Sequence, residues 1–226
     1  MSNTSRRSRS SALAALVSML VSTLALCGCE VGQGEGAVHS DWLHASGCWD
    51  GPFDLRPTFF AANPYQNTMM IRLQHGQQQE EEADGVLILV NDVAQVRDNL
   101  LGQQIPLGLP ANVTPPGVPV IPGPAPLVTM SLYLHATCHA QNSALYAVGG
   151  WINFDSLFSG DLNEDKADRR LTKAQFEATV ADPRDGILTT DASGKSSLSY
   201  PSNVTSVVTG DMQFFFHRGT PAQPFP

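Results

Sequence analysis

From Pro106 to Pro126 the chain carries eight prolines in twenty-one residues. Proline lacks a backbone N–H and locks φ, so neither a regular helix nor a central strand survives that density. The stretch is predicted to run extended and polyproline-like, as a stiff crossover between two halves of a sheet, packed over it or displayed as a recognition segment. The rest of the fold must be assembled on either side of it.

Both flanks read as strands. Upstream, Phe53 to Ala62 is apolar but interrupted by Pro57, which suits an edge strand or an irregular entry. Met69, Ile71 and Leu73 alternate on one side of a strand, and Val86–Val90 is a short continuous apolar run, the signature of a strand buried on both faces. Between them, His75 to Asp84 with its Gln77–Glu82 block reads as a solvated hairpin loop. Val93, Val96 and Leu100 share a face at helical spacing and predict one short helix over 92–101. Downstream, Leu127 to Cys138 alternates with Val128, Met130, Leu132, Leu134, Ala136 and Cys138 inward. Ser143–Val148 and Trp151–Phe158 follow, separated by Gly149-Gly150, a hairpin turn signal. Leu171 to Val180 puts Ala174, Phe176, Ala178 and Val180 on one face, and Asp182–Gly186 is a turn. Val204 to His217 closes the pattern with Val208, Met212, Phe214 and Phe216 together and Gly210 as a bulge. Roughly eight mostly antiparallel strands, with short turns and scarcely any helix, predict an all-β fold: a single β-sandwich or a small barrel with a proline-rich crossover. No internal repeat is visible, and 218–226 reads as an extended tail.

The N-terminus carries a different signal. Arg6, Arg7 and Arg9 precede an apolar run from Ala12 to Leu26, with no acid before Glu30. That is the charge and length pattern of a secretory signal, too short for a comfortable permanent span. The run ends in Leu26-Cys27-Gly28-Cys29, which resembles the lipobox of bacterial lipoproteins: Leu three positions before the modified Cys and a small residue directly before it. The resemblance covers this seam alone. It implies cleavage after Gly28, acylation of Cys29 and attachment to the cell envelope. Several acyl chains make a lasting anchor where one gives only marginal binding. Glu30 is not the Asp that favours inner-membrane retention in enteric lipoproteins, so the outer membrane, facing periplasm or cell surface, is expected. The predicted organisation is a signal peptide over 1–28, a lipidated flexible tether over 29–47 with Gly32, Gly34 and Gly36, and a β-rich domain over 48–226.

Residues 29–226 hold ten basic and twenty-one acidic side chains. That balance disfavours nucleic acid as a partner. With Cys27 in the leader and Cys29 lipidated, Cys48 and Cys138 remain as an even pair in an oxidising compartment, which predicts a disulfide.

Catalytic signals are sparse. Asp161, Asn163 and Asp165 have the alternate spacing of oxygen ligands that opens an EF-hand or dockerin-type calcium loop, and they are the one metal candidate. Lys166 stands where the loop's glycine belongs and Thr172 where its last carboxylate belongs, so a polar turn is the competing reading. His135 and His139 lie too far apart on a strand to share an ion. There is no nucleophile elbow, zinc-helix motif or phosphate loop. The sequence therefore predicts a non-catalytic envelope lipoprotein without cofactor, anchored to the membrane and acting as a binding or assembly module for an envelope protein. The alternative is a lipocalin-like ligand binder with Trp151, Phe154, Phe214 and Phe216 around a pocket; a hydrolase on a β-scaffold is the third reading.

Overall fold

Alternation of apolar side chains along short segments produces a β structure throughout. The computed structural model describes residues 33–76, 82–118, 124–141, 143–158, 170–192, 194 and 196–216. Among them the strands are β1 (Gln33–Ala45), β2 (Trp49–Leu55), β3 (Phe59–Tyr65), β4 (Thr68–Gln74), β5 (Asp84–Val90) and β6 (Gln104–Pro106) before the prolines. After them come β7 (Val128–Leu134), β8 (Ala144–Ser156), β9 (Arg170–Ala181), β10 (Ile187–Thr190), β11 (Ser196–Ser199) and β12 (Thr205–Phe216). The main sheet runs β2-β1-β12-β9-β8-β7-β5-β4-β3, with β6 added beside β8, and every ladder in it is antiparallel. It curls into a half-barrel, between the sandwich and the small barrel that the pattern allows. The two end strands, β2 and β3, are consecutive in sequence, and Phe60 of β3 stacks on Phe214 of β12 across the core with ring centroids 5.7 Å apart.

The concave face is the core, and the strand registers explain why. Met69, Val90 and Val128 form one row across β4, β5 and β7; Ile71, Ile88 and Met130 form the next. All six are essentially without solvent exposure. Each such side chain contributes roughly 1.5–3 kcal/mol of burial, so Ile88→Ala costs about 2–5 kcal/mol once the cavity is included. The predicted short helix is present as one α turn (Val93–Gln95) running into a π turn (Val96–Leu100). The Asp92 carboxylate caps it by accepting from the Gln95 N–H at 2.8 Å.

Residues 33–45 are not a tether. They form β1, paired along β12 on one side and β2 on the other. The glycines that suggested flexibility are there for close approach: a Cβ on Gly34 would collide with Phe214, and one on Gly36 would press against the Asp211 carbonyl. A side chain at either position would push β1 off the sheet. Order therefore begins well before Cys48, and the boundary at 47/48 falls inside the domain.

Three further expectations are corrected. Gly149-Gly150 is no hairpin turn: β8 runs straight through from Ala144 to Ser156, with a register shift against β9 between Ala147 and Gly149. Gly150 takes φ +101 there, and a Cβ would meet the Glu177 carbonyl. Gly210 makes no bulge either, since it pairs in register with both Val38 and Phe176. Its missing side chain leaves room for the Phe176 ring. Finally, β7 ends at Leu134, so Cys138 belongs to the following turn, where its N–H donates to the Leu134 carbonyl at 2.6 Å. The β10–β11 hairpin, short and hydroxyl-rich, was not anticipated.

The disulfide joins Cys48 to Cys138 across 90 residues, with Cα atoms 5.6 Å apart. It staples the β1–β2 turn to the β7–β8 turn. Gln141 reinforces the junction by donating to the Gly47 carbonyl at 2.9 Å.

Candidate functional site

The described parts of the proline-rich segment, 106–118 and 124–126, lie against the convex face of the sheet. Leu107 bridges to Val128, and the Gly108 N–H donates to the Val128 carbonyl at 3.3 Å. At its far end Asn91 holds it, with the side-chain amide donating to Pro126 O at 2.6 Å and the backbone N–H to Leu127 O at 2.9 Å. Between the sheet and the described residues Pro110–Val113 and Ala125–Pro126 lies a cleft of about 510 Å³. That volume lies within the range of small-ligand pockets.

Register assembles the cleft floor. On the convex face Met70, Leu89 and Thr129 form one row, Leu87, Ser131 and Tyr146 the next, and Tyr133 with Ala144 a third. Pro110, Ala111, Val113, Ala125 and Pro126 supply the walls, with Asn112 and His135 among the polar lining groups. Tyr133 is fixed: its ring occupies the space a Cβ on Gly85 would need, and its hydroxyl donates to Gln74 Oε1 at 3.2 Å. The His135 ring lies 5.4 Å from that of Tyr133. The floor is thus preorganised.

The far side of the proline segment is braced by the β9–β10 turn. A Cβ on Gly186 would touch Pro115 and the Tyr200 ring, so these three are in close apposition. The turn is clamped by Asp182 and Arg184, whose guanidinium and backbone N–H all donate to the carboxylate. Burial alone would raise the Asp182 pKa, but the hydrogen bonds and charge of Arg184 outweigh it and hold the carboxyl below its ordinary value. Burial of Tyr200, with Asp182 and Asp185 nearby, pushes its phenol upward.

The described lining residues contain no Asp, Glu, Lys, Arg or Cys. The cleft therefore offers shape, apolar surface and hydrogen-bonding groups, His135 among them. Among the described residues no group of three or more His, Cys, Asp or Glu is placed to hold a metal. The lipobox residues including Cys29, the calcium candidates Asp161, Asn163 and Asp165, and His217 lie outside the described residues.

The aromatics predicted to line a pocket do not converge. Phe154 and Phe214 are fully buried in the core, whereas Trp151 lies on the convex face, and the side chain of Phe216 is outside the described set. The cleft uses other residues. One signal pointed to it: Val86–Val90 is apolar at every position, so its convex face needed a cover, and the proline-rich segment is that cover. Tyr146 carried no signal of its own, because only the β7–β8 register makes it a neighbour of Ser131.

Fold and cleft together define an all-β half-barrel with a proline-walled cleft on its convex face. Compared with known proteins, the chain matches no family model, and no curated protein or solved structure is detectably similar to it.

Proposed function

We propose that this chain is a non-catalytic envelope lipoprotein, held at the outer membrane through acylated Cys29, whose β domain binds an uncharged, largely apolar ligand in the cleft between the sheet and the proline-rich segment. The observation that carries the reading is the cleft itself. Its floor is set by strand register, its wall is tied down by Asn91, and its described lining is free of acidic and basic side chains apart from His135. Water leaves such a surface at little cost, and a neutral ligand need not shed a charged hydration shell to enter. The tie to the envelope rests on Leu26-Cys27-Gly28-Cys29.

Titration with N-phenyl-1-naphthylamine, a neutral apolar fluorophore, tests the cleft. Saturable binding is expected, and Ala144→Trp, which fills the floor, should weaken it at least tenfold without changing the melting temperature. Equal binding by the variant sinks the cleft reading. For the anchor, Cys29→Ser should release a soluble form, and persistent membrane attachment of that variant overturns the assignment.

A further inference from the structure

A second surface lies on the convex face at the other end of the sheet. Across β8, β9, β12, β1 and β2 the register sets Trp151, Glu177, Thr209, His39 and Asp54 side by side. Asp211 and Gln175 stand in the next row. All of these except Asp54 line a shallow groove of about 340 Å³.

A bulge in β1 completes the surface. Ser40 and Leu43 both face the core, at 1% and 0% exposure, and the register with β2 shifts between them. The two residues between, Asp41 and Trp42, are therefore both turned outward, which is the geometry by which bulges re-aim side chains. Trp42 is 60% exposed yet not loose, because its indole N–H donates to Asp50 Oδ1 at 2.8 Å. His39 is held likewise, with one ring nitrogen 2.8 Å from Asp54 Oδ1 and the other 3.0 Å from Asp41 Oδ1. These two hydrogen bonds, Asp54 before Asp41, raise the imidazole pKa above its ordinary value. Trp151 and His39 are three inter-strand spacings apart, about 14 Å, and Trp42 lies three residues further along β1.

We propose that this face binds a glycan free of carboxylate and phosphate groups, lying across the strands from Trp151 towards Trp42. A sugar ring presents an apolar C–H face and a rim of hydroxyls. The first needs a flat aromatic surface with a polar edge, which tryptophan supplies. The second needs side chains that each accept or donate more than one hydrogen bond, which Glu177, Asp211 and Gln175 supply. Charge selects among glycans. Asp41, Asp54, Glu177 and Asp211 give the surface a negative field, and Lys173, two residues from Gln175 on β9, is paired to Asp155 at 3.1 Å. Acidic sugars are repelled. The site shares no residue with the proline-walled cleft and does not rest on the function proposed for it.

The test uses the acylated full chain in a sugar-free detergent, titrated by calorimetry with cellohexaose, chitohexaose, hexagalacturonate and hexalysine. Saturable binding of at least one neutral hexasaccharide and none of hexagalacturonate is expected. Trp42→Ala and Glu177→Gln should each weaken it at least fivefold, while Ala144→Trp leaves it unchanged. Trp42 packs little against the domain, so its loss should leave the melting temperature in place. Failure of both neutral hexasaccharides to bind overturns the proposal, as does full binding by Trp42→Ala. Binding of hexalysine alone overturns it in favour of a cationic peptide as the occupant.

Discussion

Replacing Cys48 and Cys138 together by alanine should be the most damaging pair of substitutions outside the sheet. The bond closes a loop of 90 residues that includes β2 to β7, the helix and the whole proline-rich segment. On the chain-entropy account, closing that loop in the unfolded state is worth about 4.6 kcal/mol at 25 °C. Cys138 is 3% exposed and packs in the core, so truncation adds roughly 1 kcal/mol of lost contact. The Gln141–Gly47 hydrogen bond survives in the native state and offsets neither term. A total between about 5 and 6 kcal/mol is a third or more of what a domain of ordinary stability possesses. Urea unfolding followed by tryptophan fluorescence measures it, with oxidised wild type, reduced wild type and the double alanine variant side by side. The midpoint should drop, and the m-value should rise because the unlinked unfolded chain exposes more surface. A loss below about 1 kcal/mol with an unchanged m-value would show that the unfolded chain already keeps these two turns together, and the loop-entropy reasoning would be refuted.

Gly34→Ala should cost roughly 2–4 kcal/mol, since the new methyl collides with Phe214 in a strand closely paired on that side; a change below half a kcal/mol in chemical denaturation would restore the tether reading of 33–45. The Asp182 carboxyl has a folded pKa below its ordinary 3.8, so it stabilises the fold fully above 3.8 and loses the contribution as pH falls from there through the lower folded value. Wild type should accordingly exceed Asp182→Asn in stability at neutral pH and converge with it well below pH 3.8, and parallel acid titration curves would contradict the clamp. Calcium should move the melting temperature by less than about a degree, because Lys166 and Thr172 break the ligand pattern around Asp161, Asn163 and Asp165; a rise of several degrees would show that the loop binds. By NMR, the His39 ring should titrate above 6.5, and Asp54→Asn should bring it down, whereas an unchanged midpoint would show that the carboxylates do not hold it.

Much of the core was legible because alternation reports the buried face of a strand directly. Met69, Ile71 and Leu73, or Ala174, Phe176, Ala178 and Val180, could face only one way. Glycine misled for an equally physical reason. Its sequence signal is permissiveness, and permissiveness serves flexibility, a turn or close approach alike. Gly34 and Gly36 serve close approach to β12, Gly150 serves a positive φ inside an unbroken strand, and Gly210 serves the Phe176 ring. Which use applies depends on the partner strand, and pairing between residues 36 and 212, or 150 and 178, is not a local property.

The same argument explains why, beyond the apolar run Val86–Val90 that called for a cover, neither candidate surface could be read from the chain. The convex-face residues Ser131, Tyr133 and Tyr146, or Thr209, Glu177 and His39, look individually like the polar side of amphipathic strands. They become candidate sites only where something departs from plain solvent exposure. In one place the proline-rich segment covers them and leaves a gap. In the other, a bulge adds an exposed Trp42 that Asp50 then holds still. Covering and bulging are decided by tertiary register rather than by composition. A strand-rich chain of this kind therefore displays its core in its sequence and hides its sites on the opposite face, where one tyrosine or tryptophan has no neighbour until the sheet is assembled.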